Sequence, residues 1–382
     1  MEVLEQRSEV RIRAVIICFA LYVALMLFQT SYLRLGTITA AVTLFLTFLA
    51  YFMQEGPRLR FNGQNVFLGL YSILIVAGTV VHGSGASNLV VVVAQMLLCI
   101  VLFSVNISEQ ENEWLKNVFT ISSTVYAILI IRSIYENRQK GYIHMDIQIF
   151  STEFDPNFVG IPLVAAMAIL LDNVLNGKRR IFSAACYAVL AVAVVYTASR
   201  GSFMAALISG MMVLFLFLSK TRKKVFSRLV YMMIPLLGLM LLVRVFEMIF
   251  PNEWARMLSV STETDNSRVI LWRTALRDWR TAPFFGNGLG YAYRAHAKAS
   301  HNTYLQVLSE TGLVGAFLFG SFLLSLLRKA MKKDKGIFCA LVGVMVQIMF
   351  LDALSNRCLW IVLCWIAMLP QKRRNVSGKV YS

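Results

Sequence analysis

Apolar residues fall along the chain in long runs separated by short polar breaks, without strict alternation. Twelve runs stand out, at roughly 14–33, 35–52, 66–82, 88–105, 115–135, 158–175, 181–197, 202–219, 229–250, 303–327, 337–353 and 358–370. Most approach the ~20 residues that carry a helix across a hydrocarbon core. A backbone in lipid must satisfy its own hydrogen bonds, so runs of this length predict helices rather than strands. The pattern predicts an all-α integral membrane protein with about twelve transmembrane helices, in a single polytopic domain over 1–382. One polar interval is longer than the rest: residues 251–301, between the ninth and tenth runs. Inside it, DNSRVILWRTALRDWRT (265–281) has helical periodicity. Asp265, Asn266 and Ser267 are N-cap residue types. After them, Arg268, Trp272, Ala275 and Trp279 share one face, and Arg273, Arg277 and Arg280 another. This predicts an amphipathic helix at the membrane interface. Pro283, Gly286, Gly288 and Gly290 then end it in turns.

Composition agrees with the pattern. Hydrophobic residues make up 58% and charged residues only 15%, against about 25% charged in soluble domains. The net charge of +17 invites a nucleic-acid reading. Its distribution answers that reading. With the N-terminus inside, 23 of the 37 Lys and Arg residues fall in inner loops and termini. This bias predicts N-in and C-in topology and leaves no need for a nucleic-acid partner. The first run follows Arg7, Arg11 and Arg13, is long for a signal-peptide core, and has no A-x-A site after it, so it reads as a retained helix. The six cysteines lie in or beside apolar runs without C-x-x-C spacing and read as small buried hydrophobes. The 251–301 loop departs from the charge rule. It lies outside yet holds seven basic residues against four acids.

Candidate chemistry gathers on that outer side. VAVVYTASRGSFMAALISG (192–210) joins two runs with only Ser199, Arg200, Gly201 and Ser202 between them. A tight corner calls for Gly and Ser, with Gly201 letting the chain reverse; it does not call for a guanidinium. Arg268 opens the amphipathic helix on its Trp face, where a phosphate meets a guanidinium and free helix N–H groups together. In KASHNTYLQVLSETGLVG, His301 and Asn302 stand at the mouth of the tenth run. Histidine accepts a proton near neutral pH. Glu310, deeper in the same run, is an intramembrane acid, which marks function or the partner of a buried arginine. Plainer readings stand beside these: headgroup contacts for the arginines, a structural role for His301, and a local pair between Arg244 and Glu247. Glu263-Thr264-Asp265 has no second acidic cluster to complete a metal site, and no G-x-S-x-G elbow occurs.

Four strings in order, DPNFVG (155–160), SRGSF (199–203), NSRVILWRTALRDWRTAPFFGNGLG (266–290) and SHNTYLQVLSETGLVG (300–315), resemble the O-antigen ligase and O-antigen polymerase superfamily of bacterial membrane glycosyltransferases. The resemblance covers about 150–325. It implies a multi-pass protein of the bacterial cytoplasmic (inner) membrane with its active site facing outside. The implied donor is an undecaprenyl-diphosphate-linked oligosaccharide, and the acceptor a glycan or glycolipid. Membrane lipids and a chain-length regulator protein are the further partners expected. It also implies that Arg200 and Arg268 hold the diphosphate and that His301 is the catalytic base. Asn302, Glu310, Arg273 and Arg277 are the supporting candidates. Two arginines meet the charge of a leaving diphosphate without metal or cofactor, and back-side attack makes the transfer inverting. Of the family's activities, a surface-polysaccharide repeat-unit polymerase is the leading expectation, with ligation to lipid A core as the alternative. A lipid-linked glycan flippase or transporter is the rival of another class. It predicts polar residues at mid-membrane on several helices, whereas the unexplained charge here sits at the outer face. A non-catalytic envelope scaffold, whose arginines only bind headgroups, is the third class.

Overall fold

The computed structural model describes residues 12–27, 35–54, 63–83, 86–139, 147–149, 152–220, 244, 247–248, 251 and 262–370. Within them the helices are α1 (Ala14–Ala24), α2 (Leu35–Gln54), α3 (Gly63–Val81), α4 (Ala86–Leu102), α5 (Glu109–Gln139), α6 (Pro156–Leu175), α7 (Arg180–Tyr196), α8 (Arg200–Lys220), α9 (Thr262–Thr281), α10 (Tyr291–His296), α11 (Thr303–Lys333), α12 (Lys335–Gln347) and α13 (Arg357–Met368). Five helices are long and apolar enough to cross a membrane: Gly63–Val81, Glu109–Asn137, Pro156–Leu175, Arg200–Ser219 and Thr303–Lys333. Six shorter apolar helices accompany them. Eleven of the twelve expected runs coincide with a helix, α1 covering the first part of the 14–33 run. The remaining run, 229–250, lies outside the described residues except for 244 and 247–248, where Arg244 Nη1 meets Glu247 Oε2 at 2.7 Å. The described helices also include a feature the pattern did not predict, a two-stranded antiparallel hairpin of β1 (Ile147–Ile149) and β2 (Thr152–Phe154) between α5 and α6. Three-residue strands are too short for an alternation to register.

Local chemistry sets the helix ends. Asp155 caps α6 by accepting from Asn157 N at 2.7 Å, with Pro156 in the first turn. Asp334 ends α11 and caps α12 by accepting from Ile337 N. α6, α8 and α12 pack on one another. A methyl on Gly343 would lie 2.7 Å from Val164 Cγ1 and 2.9 Å from Ser209 Cβ, so only glycine permits this close crossing. α11 packs against α3, α9 and α12. It is broken at Gly312, whose φ of 66° and ψ of −167° are not helical.

The helices give the bundle two poles. At one, Arg13 Nε meets Glu111 Oε1 at 2.9 Å, Lys116 Nζ meets Asp334 Oδ2 at 2.5 Å, and Lys178 Nζ meets Glu113 Oε1 at 3.1 Å. Trp365 Nε1 donates to Asn112 Oδ1 there at 2.9 Å. The other pole gathers the start of α6, the α7–α8 corner, the start of α11 and the end of α12. The candidate residues stand at this second pole.

Candidate active site

Arg200 is the first residue of α8 and is half-buried. The chain does not reverse at Gly201. Ala198 takes the left-handed conformation instead, with φ 49°, at a cost of about 1–2 kcal/mol for a residue with a Cβ. Gly201 is needed for space: a methyl there would lie 2.8 Å from Phe350 Cβ. Ser199 caps α8, its Oγ accepting from Ser202 N at 3.2 Å and donating to Asn157 Oδ1 at 2.7 Å. Ser202 Oγ donates to Ser199 Oγ at 2.9 Å and accepts from Gln347 Nε2 at 3.0 Å. The same Gln347 amide donates to Asn157 O at 2.9 Å. These bonds lock the Arg200 corner to the start of α6 and the end of α12. The guanidinium is borne by packed backbone rather than by a loose turn.

Arg268 lies on α9, which starts at Thr262. Asp265, Asn266 and Ser267 therefore lie within the helix rather than at the position before it, and Arg268 sits beyond its first turn. Three cap-type residues in a row left the start open, and acids are also favoured inside a first turn by the helix dipole. The free N–H groups of the helix start lie upstream of Arg268, so the joint guanidinium and N–H site is not formed there. The face assignment agrees with the structure: Ala275 is buried, Trp272 and Trp279 are half-buried, and Arg273, Arg277 and Arg280 are exposed. Among the described residues, none of Arg268, Arg273, Arg277 and Arg280 pairs with a carboxylate.

The glycine-rich stretch after α9 is a turn, and its partner is the break in α11. Gly286, Gly288 and Gly290 all have positive φ. Asn287 N donates to Ser309 O at 3.1 Å and Gly288 N to Glu310 O at 2.9 Å. In return, Leu313 N and Val314 N donate to Pro283 O and Phe284 O. Non-helical backbone within a membrane-spanning helix needs such partners. Glu310 is buried here. Its carboxylate accepts from Gly290 N at 2.9 Å and from Gln306 Nε2 at 3.3 Å. Its partners are a backbone amide and a glutamine, not an arginine, and they make it a brace for the turn.

His301 is exposed, and its backbone is left-handed with φ 51°. Its own N–H donates to Asp352 Oδ2 at 2.7 Å, and Ser300 Oγ donates to Asp352 Oδ1 at 2.6 Å. Thr303 Oγ1 donates to Leu351 O at 2.6 Å and accepts from Ala353 N at 2.9 Å. Asn302 caps α11, its Oδ1 accepting from Tyr304 N and Leu305 N, so its amide oxygen is committed to holding the helix start beside His301. The imidazole is thus presented from a strained but pinned position. Asp352 follows Phe350, the residue against Gly201, by two positions, which spans at most about 7 Å of chain. The segment 347–353 therefore holds the Arg200 corner on one side and His301 on the other.

Residues 184–320 match the model of the O-antigen ligase family. The match includes Arg200, Arg268 and His301 and bears out the superfamily resemblance carried by the sequence motifs. None of the curated proteins compared matches the chain. With its apolar helices, the chain is a multi-pass membrane protein. Within the O-antigen ligase match, no hydrogen bond or ion pair joins Arg200, Arg268 and His301 directly among the described residues. Intermediaries join them. Two were missed by sequence reasoning. Asp352 lies 51 residues from His301 and outside the O-antigen ligase match. Asp278 is buried on α9, and its Oδ2 lies 2.9 Å from His296 Nε2. A lone carboxylate near the end of the 337–353 apolar run is the only local hint of the first. The second left no hint beyond the scarcity of histidine, four in the whole chain.

Proposed function

We propose that the chain is a metal-independent, inverting glycosyltransferase that polymerises a surface polysaccharide at the outer face of the bacterial cytoplasmic membrane. The O-antigen ligase match supports glycan transfer between a lipid-linked donor and a glycan acceptor. The observation that carries the residue assignment is the 347–353 segment, which braces a fixed arginine on one side and an exposed histidine on the other. On this reading His301 removes the proton from the acceptor hydroxyl as that oxygen attacks the anomeric carbon. The bond from that carbon to the diphosphate oxygen breaks, and the undecaprenyl diphosphate leaves with the electron pair. Arg200 and Arg268 balance the charge that develops on it. Attack opposite the leaving group inverts the anomeric centre. The bias of basic residues toward the ion-pair pole supports placing the site pole outside.

The test is transfer by purified protein supplied with an undecaprenyl-diphosphate-linked oligosaccharide. Arg200→Ala, Arg268→Ala and His301→Ala should each lower transfer by about 10²-fold to 10³-fold, and EDTA should leave it intact. Near-wild-type transfer by all three variants would overturn the site. The description of the matched family as O-antigen ligase favours a second reading, transfer to lipid A core. Offering both acceptors separates the two: longer carrier-linked chains indicate a polymerase, and a glycosylated lipid A core a ligase. Movement of the carrier across vesicles without transfer would instead indicate a flippase.

A further inference from the structure

The five residues from Ala297 to His301 are strung between two carboxylates. At the far end, Asp352 takes the His301 N–H at 2.7 Å. At the near end, His296 Nε2 lies 2.9 Å from Asp278 Oδ2. Both ends of the strap are left-handed, Ala297 with φ 52° and His301 with φ 51°. The two carboxylates come from different places. Asp352 belongs to the segment packed on the Arg200 corner, and Asp278 to α9, the helix that bears Arg268.

We propose that the His296–Asp278 pair is a positioning clasp that sets the place of His301 relative to Arg268, by tying the strap that carries the histidine to the helix that carries the arginine. This rests on the reading of His301 and Arg268 given above. The geometry supports a clasp rather than a surface pair. Asp278 is 5% exposed, and its backbone is held as well, its carbonyl accepting from Asn287 Nδ2 at 2.8 Å and from Thr281 Oγ1 at 2.6 Å. Asn287 in turn donates to Ser309 O on α11. The carboxylate is therefore fixed in the frame of α9 and α11, and what it holds is the strap. Tyr291 sets its ring edge-on to His296, with centroids 6.3 Å apart, and so limits rotation of the imidazole. A base and a cation acting on one bond depend on their separation, and a displacement of about 1 Å costs on the order of 10²-fold in rate. Neither His296 nor Asp278 needs to touch substrate for this role.

The experiment compares His296→Ala, His296→Gln and Asp278→Asn in the full-length protein in nanodiscs. Transfer kinetics are measured together with the stoichiometry and affinity of undecaprenyl diphosphate binding. The clasp predicts that His296→Ala lowers kcat by about 10-fold to 10²-fold, while carrier binding and the melting temperature stay near wild type. His296→Gln retains an N–H donor for Asp278 and should recover most of kcat. Asp278→Asn should fall between the two. If His296→Ala leaves kcat unchanged, the clasp is wrong. If kcat falls only in proportion to a lost fraction of carrier-binding protein, the pair serves folding alone and the clasp is again wrong. Failure of the underlying reading looks different: His301→Ala and Arg268→Ala would then retain transfer, whatever His296→Ala does.

Discussion

At the ion-pair pole, Lys116 is 5% exposed on its side chain and lies between Asp334 at 2.5 Å and Glu113 at 2.9 Å, while Arg13 grips Glu111 through both Nε and Nη2. At the site pole, the acids bind other things. Asp352 takes a backbone N–H and a serine hydroxyl, Glu310 a backbone N–H and a glutamine amide, and Asp278 a histidine. None of these three closes on an arginine or lysine. Among the described residues, no carboxylate pairs with Arg268, Arg273, Arg277 or Arg280 of α9. The same residue types thus do two jobs. One pole neutralises its charges within the fold and ties α1, α5, α7 and α12 together. The other uses its acids to hold the His301 backbone, the glycine turn and the His296 ring in place.

Substitutions that separate stability from transfer sharpen this contrast. The largest effect expected is from His301→Ala, a loss of transfer of about 10³-fold with an unchanged melting temperature. Assay with lipid-linked oligosaccharide and a parallel thermal melt check both halves. Next is Lys116→Met at the opposite pole. It strands Asp334 without its cation and should cost about 3 kcal/mol of stability, read as a lower unfolding midpoint in detergent, while transfer per folded molecule stays at wild type. A loss of transfer at unchanged stability would break the division between poles. Asp352→Ala frees the His301 N–H and should cut kcat by on the order of 10²-fold, again with little change in carrier binding. Gly201→Ala forces a methyl against Phe350 and should destabilise by about 1–3 kcal/mol, lowering the unfolding midpoint and loosening the Arg200 corner. The smallest effect belongs to Arg273→Ala with Arg277→Ala. These exposed side chains face away from the buried side of α9, so transfer should change by less than about 3-fold, comparable to the weak contribution of exposed charges.

Run length and hydropathy made the helices legible, because lipid leaves the backbone few alternatives. Charge placement marked the candidate site: a corner as tight as SRGS does not call for an arginine, and a loop rich in arginine on the side expected to face outside departs from the usual bias. What stayed hidden depends on contacts between distant segments. Gly201 looks like a reversing residue, yet its role is to admit Phe350, which only the packed structure reveals. Asp352 is one acid among twenty, and nothing near it in the chain says that it holds His301. The glycines at 286, 288 and 290 announce a turn, but not that the turn docks into a broken helix. Gly312 resembles any small residue of a membrane helix until its left-handed φ is seen. The start of α9 was ambiguous because good caps and good first-turn residues are chemically the same, Asp, Asn and Ser.

The docking of the glycine turn into the α11 break limits how such a protein can diversify. A methyl on Gly286 would lie 2.3 Å from the backbone of Glu310 and Thr311, and one on Gly312 2.3 Å from the backbone of Phe284. Each glycine is the mould for the other segment. The 282–290 turn is therefore not a cassette. A chimera that imports a foreign stretch over 282–290 inherits the wrong mould unless it brings its own 309–314. New glycan preferences on this scaffold must come from surfaces that leave this joint alone, or from both halves changing together.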